Sequence, residues 1–143
     1  MAKNRLSEIE KEFVRKRANG CCEYCKFPFD YSHGAFHLDH VIPPAKGGSE
    51  DLDNFAFACD RCNAKKWTRT EWMDPETGNS IPLFHPRKDE WSAHFSWSDD
   101  FSEVLGQTPS GRATIALLEL NREGLVNVRK ALYAWGVHPA KLS

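Results

Sequence analysis

Apolar and polar residues repeat with different periods along the chain, and these periods divide it into predicted elements. Near the start, Ser7 and Glu10 have the spacing of a helix capping box, and an apolar stripe of helical period follows them. Gly20 is a typical residue at which a helix stops. We therefore predict a helix over about residues 8–19.

Alternation with a period of two predicts strands in the next part of the chain. Residues 35–42 alternate and contain β-forming side chains, and apolar residues within 55–59 share one face of a second short strand. Prolines and glycines between these stretches predict a loop. A helix is expected to begin near Cys62 or Asn63. The expected core is therefore strand, loop, strand and helix.

The second half of the chain predicts short strands followed by two helices. Thr108 and Pro109 fit an N-cap and the first helical position. Asn121 is expected to cap a second helix that runs to about Trp135. The large apolar side chains of this half are expected to be core or interface residues rather than surfaces that stack on bases, and they include Leu83, Phe84, Trp91, Phe95 and Trp97. The fold class is therefore α+β.

Composition is that of an ordinary globular chain of 143 residues, 41% of them hydrophobic. No apolar run approaches the roughly 20 residues that a membrane helix needs, and the N-terminus lacks the apolar core of a secretory signal. We therefore expect no membrane contact and a cytoplasmic location. The net charge of −1 does not indicate a nucleic-acid partner, but basic residues cluster within residues 3–17 and 65–69. Such clusters hold phosphates or are simply solvated helix faces.

Four of the five cysteines form two C-x-x-C pairs, Cys22 with Cys25 and Cys59 with Cys62. Two such pairs predict a closed four-thiolate Zn²⁺ site, which is structural rather than catalytic. A rubredoxin-like iron site uses the same ligands, but the residues between the pairs do not fit electron transfer. Cys21 could compete with Cys22, although the two-residue gap to Cys25 favours Cys22.

Between and beside these pairs stand polar residues that suit phosphodiester hydrolysis: Asp39, His40, Asn54 and Asn63. A histidine can take a proton from the attacking water. A carboxylate and an amide oxygen can hold a hard divalent ion. Because adjacent strand residues point to opposite faces, the strand must end or twist near Asp39 and His40 for both to serve one site.

The segment from Cys22 to about Lys66 resembles the HNH endonuclease family. The motifs C-x-x-C, LDHVIPPAKGGSEDLDN and C-x-x-CN-x-x-K occur in the family's order. The resemblance implies a ββα-metal core with a structural Zn²⁺, flanked by an N-terminal helix and C-terminal helices. It places the core in residues 1–70, and residues 71–143 are expected to be an extension that packs on it. Part of this extension resembles a tail of some bacterial HNH-type proteins.

The resemblance also implies a role for each matching residue. Asp39 and Asn63 would bind a catalytic Mg²⁺ or Mn²⁺, His40 would be the general base, and Asn54 would hold the loop and orient His40. Cleavage would leave a 5′-phosphate and a 3′-hydroxyl. The first ligand is Asp and the last position is Asn rather than His, which leaves the preferred metal open, although oxygen ligands favour Mg²⁺.

The predicted function is DNA cleavage by a one-metal mechanism in a monomer or homodimer. DNA phosphates are expected to contact a basic group on and beside the last helix of the core, formed by His37, Lys65, Lys66 and Arg69. Two alternatives stay open: a non-catalytic zinc-containing nucleic-acid-binding module, and a zinc finger that binds protein through its aromatic side chains. Single residues also have structural explanations, since Asp39 could cap a turn and Asn63 a helix.

Overall fold

The computed structural model describes residues 6–141 and has five α-helices, three short 3₁₀-helices and six short strands in this range. The helices are α1 (Glu8–Arg17), α2 (Asp60–Lys66), α3 (Trp91–His94), α4 (Pro109–Leu118) and α5 (Glu123–Ala134). The strands are β1 (Phe36–His40), β2 (Phe55–Cys59), β3 (Glu71–Met73), β4 (Ser80–Pro82), β5 (Phe95–Trp97) and β6 (Val104–Gly106). They form three antiparallel pairs, β1–β2, β3–β4 and β5–β6, so the α+β prediction is confirmed. Lys3 and Arg5 of the basic N-terminal cluster lie outside the described residues.

Helix α1 begins with the predicted capping box. The Ser7 hydroxyl accepts from the Glu10 amide at 3.1 Å, and the Glu10 carboxylate accepts from the Ser7 amide at 2.9 Å. The helix ends at Arg17, two residues earlier than expected. Its buried residue Val14 packs with Phe57 of β2, so α1 covers one face of the β1–β2 pair.

Helix α2 packs on the other face of this pair and follows β2 directly. It begins at Asp60 rather than near Asn63, because the sulfur of Cys59 accepts from the Cys62 amide at 3.4 Å and caps the first turn. Asn63 therefore lies inside the helix, and the explanation of Asn63 as a helix cap is wrong. The β1–β2–α2 unit has the order of elements expected of a ββα-metal core.

The extension shares its apolar core with the first half of the chain. One cluster joins Tyr24, Val41 and Ala56 to Phe84 and Leu118. The expected core aromatics belong to it, since Leu83, Phe84 and Phe95 are buried and Trp91 and Trp97 pack against it half-buried. Nothing in this packing marks a break at residue 70, and the division there stays a prediction.

The two C-terminal helices differ in how they begin. The Thr108 hydroxyl caps α4 as expected, by accepting from the Gly111 amide. Helix α5 has no side-chain cap, and the prediction for Asn121 is wrong, because its amide group instead binds the backbone of Val104 at 2.7 and 2.8 Å. No helix within residues 6–141 combines the length and apolar character needed to cross a bilayer.

An ion pair fixes the β3–β4 hairpin to α4. The fully buried carboxylate of Asp74 accepts from Nε and Nη2 of Arg112 at 2.9 and 2.8 Å. The Arg112 contact and further donors in the turn lower the pKa of Asp74 to about 2. A carboxyl whose pKa falls on folding stabilises the folded state at any pH above its unfolded pKa, near 3.9, and this stabilisation is lost as the pH falls towards 2.

We expect the substitution Asp74→Asn to lower the unfolding temperature at pH 7. The difference from wild type should shrink between about pH 4 and pH 2, where Asp74 itself becomes neutral. Thermal unfolding followed by circular dichroism across this pH range measures both effects. The exposed Asp99 provides the control, since Asp99→Asn should leave the pH profile unchanged; a difference for Asp74→Asn that does not vary with pH would contradict the assignment.

Candidate functional site

The four cysteines of the two C-x-x-C pairs meet in one buried cluster. The sulfurs of Cys22, Cys25, Cys59 and Cys62 all lie within 4.8 Å of one another, and those of Cys25 and Cys59 are 3.8 Å apart. A tetrahedral zinc ion with Zn–S bonds of about 2.3 Å separates its sulfurs by about 3.8 Å. The donor set therefore fits one zinc ion with no open coordination position.

Two arginines of the extension bring positive charge to this cluster. A zinc ion with four thiolates has a net charge of about −2. Arg122 lies 4.0 Å from the Cys59 sulfur, and the buried Arg129 donates to the Cys25 carbonyl at 3.2 Å. Burial lowers the pKa of Arg129 to about 10, so its guanidinium stays charged at neutral pH. The sequence analysis did not identify either residue, because both lie far from the cysteines along the chain.

Cys21 lies outside the sulfur cluster, as its spacing predicted. Its side chain is buried, and burial raises the pKa of its thiol to about 11. Its sulfur is not among the four that meet in the cluster. The structure therefore supports Cys22 as the partner of Cys25.

Asp39 lies in β1, on the face of the β1–β2 pair that packs against α2. Its side chain is 5% exposed, and it accepts from the Tyr24 hydroxyl at 2.9 Å and from the Lys66 ammonium at 3.1 Å. Burial raises the pKa of the Asp39 carboxyl, and the charge of Lys66 opposes this shift. Asp39 does not merely cap a turn, because its partners belong to α2 and to the first zinc knuckle, the C-x-x-C turn of residues 22–25.

Lys66 is enclosed by oxygen atoms rather than open to solvent. Its side chain is 1% exposed, and its ammonium donates to the carbonyls of Val41 at 3.0 Å and His40 at 3.2 Å besides its contact with Asp39. A phosphate could reach this ammonium only if the side chain left these oxygens. The structure thus argues against the prediction that Lys66 contacts DNA, and it makes Lys66 the link between α2 and the end of β1.

His40 is the last residue of β1, and its ring lies at the rim of the β1–β2 pair. The ladder is regular up to this point, with Asp39 opposite Ala56 and His40 opposite Phe55, so the chain bends after His40 and not before it. The His40 ring contacts the Phe55 ring with centroids 4.6 Å apart, and its Nε2 lies 2.9 Å from a carboxylate oxygen of Glu50. Glu50 was missed by the sequence analysis, although it lies within the loop motif.

The loop that carries Glu50 is fixed by Asn54. The Asn54 side chain accepts from the Ile42 amide at 2.9 Å and donates to the carbonyls of Ile42 and Ser49 at 2.9 and 2.8 Å. Gly48 is required in this loop, because a Cβ atom there would lie 1.6 Å from the Ile42 carbonyl oxygen. These contacts fit the role in holding the loop that was expected of Asn54.

Asn63 lies one helical turn before Lys66, so both side chains share the side of α2 that faces β1. Within residues 6–141, no side chain or backbone group forms a hydrogen bond with the Asn63 side chain. Its amide oxygen is therefore open to a ligand on that side of α2, and its pairing with the Asp39 carboxylate around one ion stays a prediction.

The other basic residues expected at the DNA surface have protein partners. Lys65 forms an ion pair with Glu119 at 2.9 Å, His37 contacts Asp60 at 2.8 Å, and Arg69 lies over the ring of Trp72. All three are at least partly exposed. Because ion pairs at a surface contribute about 0–1 kcal/mol, a phosphate can replace the carboxylate partners at little cost.

We expect Cys62→Ser to abolish zinc binding and to lower the unfolding temperature strongly, because three thiolates hold zinc poorly and zinc binding is coupled to folding. Elemental analysis of purified protein should give about one zinc per wild-type chain. The matched control is Cys21→Ser, which changes a buried cysteine outside the cluster and should retain the zinc. Loss of zinc from both variants alike would contradict the assignment of the ligands.

Comparison with known proteins agrees with this geometry. The family model described as HNH endonuclease matches residues 22–69. The chain is also similar to the "Septu protein PtuA" of Bacillus mycoides (strain KBAB4), with 25% identity over 151 residues that cover 87% of this chain and 21% of the relative. The chain thus spans about one fifth of the length of that relative. No solved structure gives a significant match.

The family match begins at the first cysteine of the zinc cluster and ends just after α2. It therefore contains both cysteine pairs, the β1–β2 pair and α2. The residues of the site that lie outside the match are Trp72, Glu119, Arg122 and Arg129. Residues 22–69 thus match the HNH endonuclease family model over the whole of the candidate zinc and divalent-ion sites.

Proposed function

We propose that this chain is a metal-dependent endonuclease that hydrolyses phosphodiester bonds of DNA by a one-metal mechanism. The observation that carries the proposal is that the Asp39 carboxylate, the Asn63 amide and the His40 ring all belong to the β1–β2–α2 unit. The Asp39 carboxylate lies at the contact of β1 with α2, and the Asn63 side chain, which has no hydrogen-bond partner among residues 6–141, lies on that helix. The His40 ring is oriented by Glu50 at the end of β1.

His40 is the proposed general base. A carboxylate can only accept a hydrogen bond, so the contact with Glu50 requires the Nε2 atom of His40 to carry hydrogen. The neutral ring then has its lone pair on Nδ1, which no described residue occupies. Nδ1 can take the proton of a water as that water attacks phosphorus, a contribution of about 10²–10⁴-fold in rate.

Asp39 and Asn63 are the proposed ligands of the catalytic divalent ion. Mg²⁺ is usually held by one or two carboxylates together with waters and substrate phosphates, and this oxygen donor set fits Mg²⁺ or Mn²⁺. When bound, the ion supplies positive charge to the phosphate and to the leaving oxygen. The Asp39 oxygen Oδ1 is its more open one, with Lys66 at 3.4 Å. The products would be a 5′-phosphate and a 3′-hydroxyl.

The remaining residues of the site would position the reacting groups and the substrate. Asn54 holds the loop, and through it Glu50, in place beside His40. Lys65, Arg69 and His37 are the proposed contacts to DNA phosphates, which would fix the substrate without reading its sequence.

One observation supports a second candidate function, a non-catalytic zinc-containing module that binds nucleic acid. The Lys66 ammonium already supplies a positive charge to Asp39, at 3.1 Å. If this ion pair persists when divalent ions are present, Asp39 has no need of a metal. Such a module would retain DNA without cutting it, and the next experiment separates the two functions.

We expect wild-type protein to cut plasmid DNA with Mg²⁺ or Mn²⁺, and His40→Ala to reduce the rate by about 10²–10⁴-fold because the base is lost. Gel electrophoresis of plasmid over time measures the rate, and zinc content shows that the fold persists. The exposed His33 provides the control, since His33→Ala should cut at the wild-type rate. Wild-type protein that binds DNA but never cuts it would favour the non-catalytic module, and equal cutting by His40→Ala would contradict the role of His40.

Glu50→Ala should also lower the cleavage rate, by about 10²-fold, because the His40 ring loses the partner that fixes its orientation and tautomer. The exposed Glu103 serves as the matched control, and Glu103→Ala should have no effect. Measured over a range of metal concentrations, the Glu50 variant should lose maximal rate while the half-saturating metal concentration stays unchanged. An unchanged maximal rate would show that Glu50 does not orient the base.

A further inference from the structure

Tyr24 connects the first zinc knuckle to the candidate divalent-ion site. It lies between the two cysteines of that knuckle, and its side chain is 1% exposed. Its hydroxyl donates to Oδ2 of Asp39 at 2.9 Å. The turn that contributes two cysteines to the sulfur cluster therefore also places the Tyr24 hydroxyl at Asp39, where β1 contacts α2.

Two residues of the extension hold Tyr24 in place, one through its ring and one through its backbone. Its ring packs edge-on against Phe84, with centroids 6.4 Å apart, and the Trp91 indole donates to its backbone carbonyl at 3.3 Å. A tyrosine hydroxyl donates one hydrogen bond, and this one is directed at the Asp39 carboxylate. The extension therefore holds Tyr24 in the position from which it reaches Asp39.

The two oxygens of Asp39 are in different environments as a result. Oδ2 receives both the Tyr24 hydroxyl at 2.9 Å and the Lys66 ammonium at 3.1 Å, whereas Oδ1 has only the longer Lys66 contact of 3.4 Å. A carboxylate held through one oxygen presents the other in a fixed direction. Hydrogen bonds of this kind to a metal-binding carboxylate typically account for about 10–100-fold in metal affinity or activity.

We infer that Tyr24 is a positioning residue that fixes Asp39 for the second divalent ion and so couples the zinc knuckle to that site. The inference rests on the proposed role of Asp39 as a ligand. It assigns a function to a residue within the C-x-x-C turn that the cysteine spacing does not explain.

The test compares Mn²⁺ binding to the zinc-loaded full chain by isothermal titration calorimetry. Tyr24→Phe removes only the hydroxyl and should weaken Mn²⁺ binding by about 10–100-fold, with about one zinc per chain retained. Tyr31, which is about half exposed, gives the matched control, and Tyr31→Phe should bind as wild type. In cleavage assays the Tyr24 variant should need more Mn²⁺ for half-maximal rate, while its rate at saturating Mn²⁺ stays within a few-fold of wild type because His40 is untouched.

Each outcome either supports or overturns the role of Tyr24 in positioning Asp39. Wild-type affinity for Mn²⁺ in the Tyr24→Phe variant overturns the inference. If that variant loses zinc, Phe84→Leu, which keeps the hydroxyl but loosens its ring, is measured instead, and unchanged Mn²⁺ affinity there overturns it likewise. A wild-type chain whose Mn²⁺ binding is not weakened by Asp39→Asn refutes the proposed ligand itself, and this failure of the proposed function is distinguishable from a failure of Tyr24 alone.

Discussion

The meeting of four sulfurs within 4.8 Å is the constraint on which the rest of the structure depends. Each of the three sheets has only two strands, and such pairs are marginal in water without further support. The sulfur cluster ties the chain before β1 to the chain after β2, so the hairpin and α2 keep one relative placement. The positions of Asp39 and His40 follow from that placement, with α1 and the extension closing the two faces.

Several charged side chains are buried in this small core, although burial disfavours their charged forms. Asp39 and Lys66 form a buried pair, and Arg129 lies buried beside the sulfur cluster. Buried pairs of this kind rarely increase stability over apolar side chains of the same size, because desolvation costs several kcal/mol per ion. The Asp39–Lys66 pair therefore adds little stability over apolar side chains of the same size, although it fixes α2 to the end of β1.

Local patterns predicted most elements and the meeting of the four cysteines, because their signals lie within a few residues. The capping box at Ser7, the two cysteine pairs and the strand–loop–strand–helix order are all of this kind. Contacts between distant elements could not be predicted. Lysines are mostly exposed, so nothing in the spacing of Lys66 indicated a buried ammonium, and the same limit concealed Tyr24 and Glu50 as partners of Asp39 and His40. The prediction that Asn121 caps a helix was wrong, because its side chain binds the backbone of Val104 in β6.

The contact between Arg129 and the Cys25 carbonyl joins residues 104 positions apart. A chain emerging from the ribosome therefore presents all four sulfurs well before α5 exists. Assembly of the sulfur cluster and docking of the last helix are then separate steps, because contacts over such long separations form slowly. Between them the first C-x-x-C turn lacks its contact with Arg129, whereas Phe84 and Trp91, which hold Tyr24, have already been synthesised.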